Sequence, residues 1–247
     1  MLELQRVTKK FGGFTAVNAL SMNVTAGSVC GFLGPNGAGK TTTMRMISGI
    51  IQPTEGQIFV DGLSVQSNPI RTKQVVGYVP DRPYLYEKLT AFEYLEFTAG
   101  LYQLRSEETQ RRAERLIELF GLGSVRHHQV ESYSHGMKQR LVMTSVLLCQ
   151  PKLMVVDEPM VGLDPKGARL LKDVLRQEAH DNGMAILLST HSLDVAEEVC
   201  DEIVMIANGT LLAHGTPAEI RALADDPEGD LESAFIQLTT EQSAESQ

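Results

Sequence analysis

Apolar and polar positions alternate with a period of two near the start of the chain, over residues 2–7 and again over 17–24, and this predicts strands. Ile58, Phe59 and Val60 end at Asp61-Gly62, a strong hairpin signal. Between these segments, residues 29–33 form an apolar strand that runs straight into a glycine-rich loop. The spacing then changes to that of a helix, with Met44, Ile47 and Ile50 on one side. A further strand is expected over 74–79, ended by Pro80.

From there to about Gln150 the pattern is helical. Thr90 followed by Glu93 has the form of a capping box opening one helix. A second begins near Ser106, carries Leu116, Ile117 and Phe120 on one face, and stops at Gly121. A third runs from about His135 to Gln150 and is stopped by Pro151. Alternation then resumes, with strand 153–156, a helix from Asp164-Pro165, strand 185–189, a helix from Ser192, strand 203–206 and a hairpin turn at Asn208-Gly209. Strands alternating with helices imply an α/β fold with a parallel sheet covered on both faces. Residues 88–150 read as a helical lobe set into one domain of residues 1–222. A short polar extension, 223–247, follows, with mobility expected over 241–247.

The length of 247 residues suffices for a large core, and 43% hydrophobic with 21% charged residues is ordinary for a globular protein. Net charge of −9 argues against nucleic acid as the main partner. The apolar runs at 185–188 and 203–207 fall far short of the ~20 residues that span a bilayer. The first residues lack the basic-then-apolar order of an export signal, so a cytoplasmic location is expected. Cys30, Cys149 and Cys200 are widely spaced in apolar segments, which points to reduced thiols rather than a disulfide framework or a metal site.

Gly34-Pro35-Asn36-Gly37-Ala38-Gly39-Lys40-Thr41 is a complete phosphate-loop pattern, with a strand before it and a helix after it. Backbone N–H groups of such a loop turn inward around phosphate oxygens, and the helix dipole adds to the attraction. Lys40 is expected at the β- and γ-phosphates, Thr41 on Mg²⁺ and Thr42 at the α-phosphate of ATP. Asp157 and Glu158 end a second apolar strand, placing one carboxylate to support the metal shell and another to orient and deprotonate water. His191 ends a third strand, on the same edge of the sheet, where it would contact the γ-phosphate. His127, His128, His135, His180 and His214 show no such convergence.

Three further segments narrow the reading. Tyr133-Ser134-His135-Gly136-Met137-Lys138-Gln139-Arg140 resembles the signature motif of ABC ATPases. Gly162-Leu163-Asp164-Pro165 resembles that family's D-loop, and Ser189-Thr190-His191 its switch histidine. With the motifs in family order from Phe11 to about Thr239, the chain resembles the nucleotide-binding subunit of an ABC transporter. The resemblance implies a P-loop NTPase of the ABC cassette type, with a mixed, mostly parallel core sheet, an N-terminal antiparallel β-subdomain and an inserted α-helical subdomain. It also implies a second ABC ATPase subunit whose Ser134 and Gly136 complete the ATP site, with Asp164 near the two-fold axis. Separate transmembrane permease subunits would hold the protein at the cytoplasmic face of the membrane. Phe11 falls where the family stacks an aromatic on adenine, with a core phenylalanine the competing reading.

Two departures stand out. Asp81 replaces the family's usual glutamine and can still offer oxygen to Mg²⁺ or water, while His135 and Met137 replace a glycine and a glutamine of the signature. Tyr84, Leu85, Tyr86 and Leu89 either receive a coupling helix or pack the lobe against the sheet. The phosphate-loop stretch and the segment 231–239 resemble exporter-type subunits, with no room for a separate regulatory domain. A non-transport ABC clamp on translation or DNA is the alternative, and the acidic charge and lack of a second cassette count against it. A GTPase would need a guanine-reading Asn-Lys-x-Asp, which the sequence lacks.

Overall fold

The computed structural model describes residues 1–104, 106–223 and 230–245. Strands β1 (Leu2–Phe11) and β2 (Phe14–Val24) pair antiparallel. β3 (Val29–Leu33) is buried at all five positions, as expected of a strand covered on both faces. Helix α1 (Lys40–Ile47) is shorter than the sequence spacing suggests: Gly49, at φ 65°, turns the chain away, and Ile50 is left exposed beyond the end. β4 (Glu55–Val60) and β5 (Leu63–Ser64) meet at Asp61-Gly62, both at positive φ, as the two-residue hairpin requires.

The strand expected over 74–79 is a correction. Gln74 and Val75 complete helix α2 (Pro69–Val75), and only β6 (Val76–Val79) is extended. Pro69 pre-sets the first helical turn, and the Thr72 hydroxyl donates back to Asn68 O and Pro69 O, so the helix holds two residues that strand alternation would claim.

In the lobe, α3 (Ala91–Leu101) opens with the anticipated capping box: Thr90 Oγ1 accepts from Glu93 N and Glu93 Oε2 accepts from Thr90 N. α4 (Glu107–Leu119) starts at Ser106, buries Leu116 and Ile117, and is ended by Gly121 at φ 65°. Two 3₁₀ turns, Gly123–Val125 and Val130–Ser132, lead to α5 (His135–Leu148), capped by Ser134. α4 and α5 cap each other: Arg140 Nη1 donates to Phe120 O at 2.9 Å, and Arg112 Nη1 donates to Leu148 O at 3.3 Å.

β7 (Leu153–Asp157) is followed by α6 (Pro165–His180), whose N-cap Asp164 accepts from Gly167 N. Then come β8 (Ala185–Thr190), α7 (Leu193–Val199), β9 (Glu202–Ala207) and β10 (Thr210–Gly215), with Asn208-Gly209 as the hairpin turn between the last two. α8 (Pro217–Arg221) and α9 (Leu231–Glu245) close the described chain, and Leu231 and Ala234 are buried where α9 packs on α7, α8 and β10. The backbone of 241–245 is helical, whereas 246–247, included in the expected mobile tail, lie outside the described residues.

One sheet runs β2-β1-β4-β5 and is antiparallel. The other runs β10-β9-β3-β8-β7-β6 and is parallel except for β10 at its edge. Side chains of β3 alternate between two cores: Cys30 and Phe32 join Met44, Ile47 and Ile58 between the sheets, while Val29 and Leu33 join the helical side. This second sheet brings the ends of β3, β7 and β8 to one edge.

Replacing Thr90 by alanine should lower stability by about 1 kcal/mol through loss of the cap, measured by urea unfolding at neutral pH. Hydrogen bonds from Thr90 hold the Glu93 carboxyl below its usual range. A group depressed in this way stabilises above its unfolded-state pKa and loses that contribution as pH falls through the lowered one. The gap between wild type and variant should therefore narrow in acid.

Candidate active site

At the carboxyl ends of β3, β6 and β7 lies a cleft of about 370 Å³, with His191 beyond β8 reaching it through Glu158 rather than lining it. Pro35, Asn36, Gly37, Gly39, Lys40, Thr41 and Thr42 line it together with Asp81, Asp157 and Glu158. The elements thus converge on one place through the adjacency of parallel strands, which is where ligands of such sheets bind. Gly34 contributes its carbonyl to the loop, and Ala38 is buried beneath it.

Two glycines are needed for this loop to close. Gly39 sits at φ 102°, and a Cβ there would approach Ala16 O to 2.5 Å. Gly209, at φ 76° in the β9–β10 turn, donates its N–H to Ala38 O at 3.1 Å and accepts from Asn18 N at 2.8 Å. The hairpin therefore braces the loop from behind. Lys40 Nζ donates to Gly34 O at 2.6 Å and to Pro35 O at 3.3 Å, folding across the loop. Burial pulls its ammonium below the ordinary lysine range, while Glu158 and Asp157 pull it back up.

Asp157 is 1% exposed, and its Oδ1 accepts from Ser189 Oγ at 2.6 Å. Its Oδ2 is buried without a hydrogen-bond partner. An unpartnered buried carboxylate oxygen, on a cleft that also holds the Thr41 hydroxyl and Asp81, is an oxygen donor set suited to a hard divalent cation. Glu158 takes a left-handed backbone, φ 48°, a conformation costing about 1–3 kcal/mol that its surroundings must sustain. Its N–H is pinned to Ser189 O at 3.2 Å and Ser189 Oγ at 3.1 Å. Its Oε2 lies 2.8 Å from His191 Nδ1. Because a carboxylate can only accept, Nδ1 donates, leaving Nε2 free on an imidazole that is two-thirds exposed.

Other expected residues fall elsewhere. Ser134 and Gly136 are not on the cleft: Ser134 Oγ caps α5 by accepting from Met137 N at 3.3 Å, and Gly136 packs near the Gly162 carbonyl. Phe11 is half exposed with the Lys9 ammonium 5.0 Å above its ring, whereas its strand partner Phe14 lines the cleft. His135 rests against Gly162, while His180 and His214 pair with Asp201 and Glu202. Two participants escaped sequence reading. Ser189, in the polar pair that ends β8, holds both acids, and its only signal was that β8 ends beside β7. Tyr78 sits next to the site, where burial pushes its phenol up to about 12, the Asp157 charge adding to the shift and Arg45 opposing it.

Comparison with known proteins agrees with this geometry. The family model for ABC transporters matches residues 17–161. The chain is 36% identical over 241 residues to the probable multidrug ABC transporter ATP-binding protein YbhF of Escherichia coli K12, covering 96% of this chain but 41% of that protein. It is 33% identical to the ABC-type transporter ATP-binding protein EcsA of Bacillus subtilis 168, over 97% and 98% of the two chains. A solved structure described as the ATP binding subunit of an ABC transporter superposes with a TM-score of 0.91 at 33% identity, covering 97% of this chain and 99% of that one. Fold and cleft thus define an ABC-type ATPase cassette. The chain belongs to the ABC transporter family.

Removing the Ser189 hydroxyl takes the donor from Asp157 and an acceptor from Glu158 N. Ser189→Ala should lower stability by about 1–3 kcal/mol and weaken metal-dependent nucleotide binding, checked by thermal unfolding and calorimetry.

Proposed function

We propose that the chain binds Mg²⁺·ATP in this cleft, hydrolyses it, and powers transport, in the direction of export, through separate membrane subunits. The observation that carries the reading is the Glu158–His191 pair, held at 2.8 Å beside Lys40 and the half-partnered Asp157. The loop N–H groups and Lys40 bind the phosphates. Thr41, Asp157 and Asp81 are the residues to hold the metal, which when bound offsets phosphate charge. Glu158 accepts the proton of the attacking water through a carboxylate whose other oxygen is fixed by His191. His191 Nε2 remains to meet the γ-phosphate.

Ser134 and Gly136 lie off the cleft of their own chain, at the start of the 14-residue α5. Their N–H groups and helix dipole suit an anion, which favours a head-to-tail dimer with a second cassette and Asp164 near its axis. For membrane partners, the supporting feature is a groove of about 360 Å³ between the sheet and the helical lobe, with Ile50, Tyr86, Phe97 and Leu101 exposed along it. Such an apolar surface suits a docked helix. Leu85 instead packs into the lobe, and Tyr84 stands exposed. No helix of the described residues is long and apolar enough to cross a membrane. For the direction, the supporting likeness is to YbhF, described as a probable multidrug ABC transporter ATP-binding protein.

Glu158→Gln keeps the shape and removes the acceptor. It should bind ATP as tightly as wild type while phosphate release falls by about 100-fold or more; full turnover would mean that another group is the base. Asp81→Ala should leave ATP binding intact and weaken stimulation by a partner, and unchanged stimulated turnover would defeat that role. The transport reading is tested by extracting the tagged chain from its native cells in mild detergent and identifying what co-purifies. A stoichiometric multi-span membrane protein supports it, whereas ribosomal or DNA-repair proteins in its place overturn it.

A further inference from the structure

Beyond the carboxylates and the phosphate loop, a third group faces the same corner. Tyr78 lies in β6, one strand over from β7, in register with Val155. Asp157 is two residues further along β7, so its side chain leaves the sheet on the same face as that of Val155 and of Tyr78. Tyr78 packs into the inter-sheet core with Val155, and its phenol is within electrostatic reach of Asp157, Arg45 and Asp81. Its hydroxyl oxygen is buried, with the Arg45 side chain near enough to donate to it, and its own O–H finds no acceptor among the described residues. Asp157 Oδ2 is buried and unpartnered.

An unused donor and an unused acceptor on one face of a sheet are informative because they are complementary. A phenol O–H donates, a carboxylate oxygen accepts, and burying either alone costs about 1–3 kcal/mol. A water bound to both, or a water of the metal's own shell, satisfies the two at once. The same side chain has a second exposure: Tyr78 is part of the wall of the groove beside the helical lobe, with Ser48, Ile50 and Tyr86. One rigid aromatic ring thus separates the groove from the carboxylate corner, and displacing it at one end moves its hydroxyl at the other.

We propose that Tyr78 is a positioning residue that ties the groove to the metal corner, its hydroxyl donating toward the Asp157 Oδ2 side of the metal shell and its ring forming the groove wall. The proposal rests on the reading of the cleft as a metal–nucleotide site. Asp81, one turn of loop beyond β6, faces the same cleft and would feel the same displacement.

The test uses the full chain, with Mn²⁺ and ADP as probes. Tyr78→Phe removes the hydroxyl and keeps the ring, so it should weaken Mn²⁺ binding to the ADP-loaded protein by about fivefold while leaving metal-free ADP affinity unchanged. Thermal unfolding of the metal-free protein should show at most a small loss of stability, because the side-chain partner given up there is Arg45. The groove half is read separately. The chain has no tryptophan, so Ile50→Trp gives a single indole reporter in the groove. Its emission should change when Mn²⁺·ADP is added, and that change should be lost when Tyr78→Phe is combined with it. Mn²⁺ affinity within twofold of wild type overturns the proposal, and so does an emission change that survives in the double variant. A wild-type chain that fails to bind Mn²⁺·ADP would instead defeat the reading of the cleft itself.

Discussion

Keeping a charge inside a protein is expensive unless partners surround it, and among the described residues the charged side chains classed as buried are Lys40 and Asp157. They lie in one cleft, and each is only partly compensated by the protein. Lys40 borrows carbonyls of its own loop, and Asp157 has one oxygen bonded to Ser189 while the other has nothing. Much of the local architecture answers this constraint. β7 and β8 must be neighbours for Ser189 to reach Asp157, and the β9–β10 turn must pass behind the loop for Gly209 to fix it. The incomplete compensation leaves room for an anion beside Lys40 and a cation beside Asp157, the two charges that a metal–nucleotide complex brings together.

Ser189 extends the same logic to the backbone. Its carbonyl and hydroxyl both receive the Glu158 N–H, which sustains the left-handed conformation at that residue. The strained turn aims Glu158 at His191 rather than along the strand. A single serine therefore partners one oxygen of the first acid and fixes the backbone of the next.

The order of elements was legible in the sequence wherever pattern and local chemistry agreed. The loop at Gly34, the capping box at Thr90, the stop at Gly121 and the turns at Asp61-Gly62 and Asn208-Gly209 each depend on residues close in sequence, and each occurs where expected. Gln74 and Val75 went astray because a strand-like pair was claimed by a helix started at Pro69. The site was legible in its ends of strands, since phosphate loop, acids and histidine each close an apolar run. What could not be read was anything decided by strand order. That β8 lies beside β7, giving Ser189 its role, and that β6 lies on the far side, giving Tyr78 its place, are facts of pairing across more than thirty residues. That Phe14, rather than its pairing partner Phe11, lines the cleft is likewise not fixed by alternation alone.

The mutual capping of α4 and α5 has a mechanical meaning. With Arg140 closing the end of one helix and Arg112 the end of the other, neither can fray without uncovering its partner's carbonyls. The pair is stiffened at both ends and behaves as a rod. Ser145, Val146 and Cys149, toward one end of α5, line the groove, and Ser134 stands at the other. A helix of 14 residues is about 21 Å long, so a tilt of roughly 5° about the groove end swings the serine end by about 2 Å. The lobe is in effect a lever, able to turn a small push in the groove into a displacement the length of a hydrogen bond.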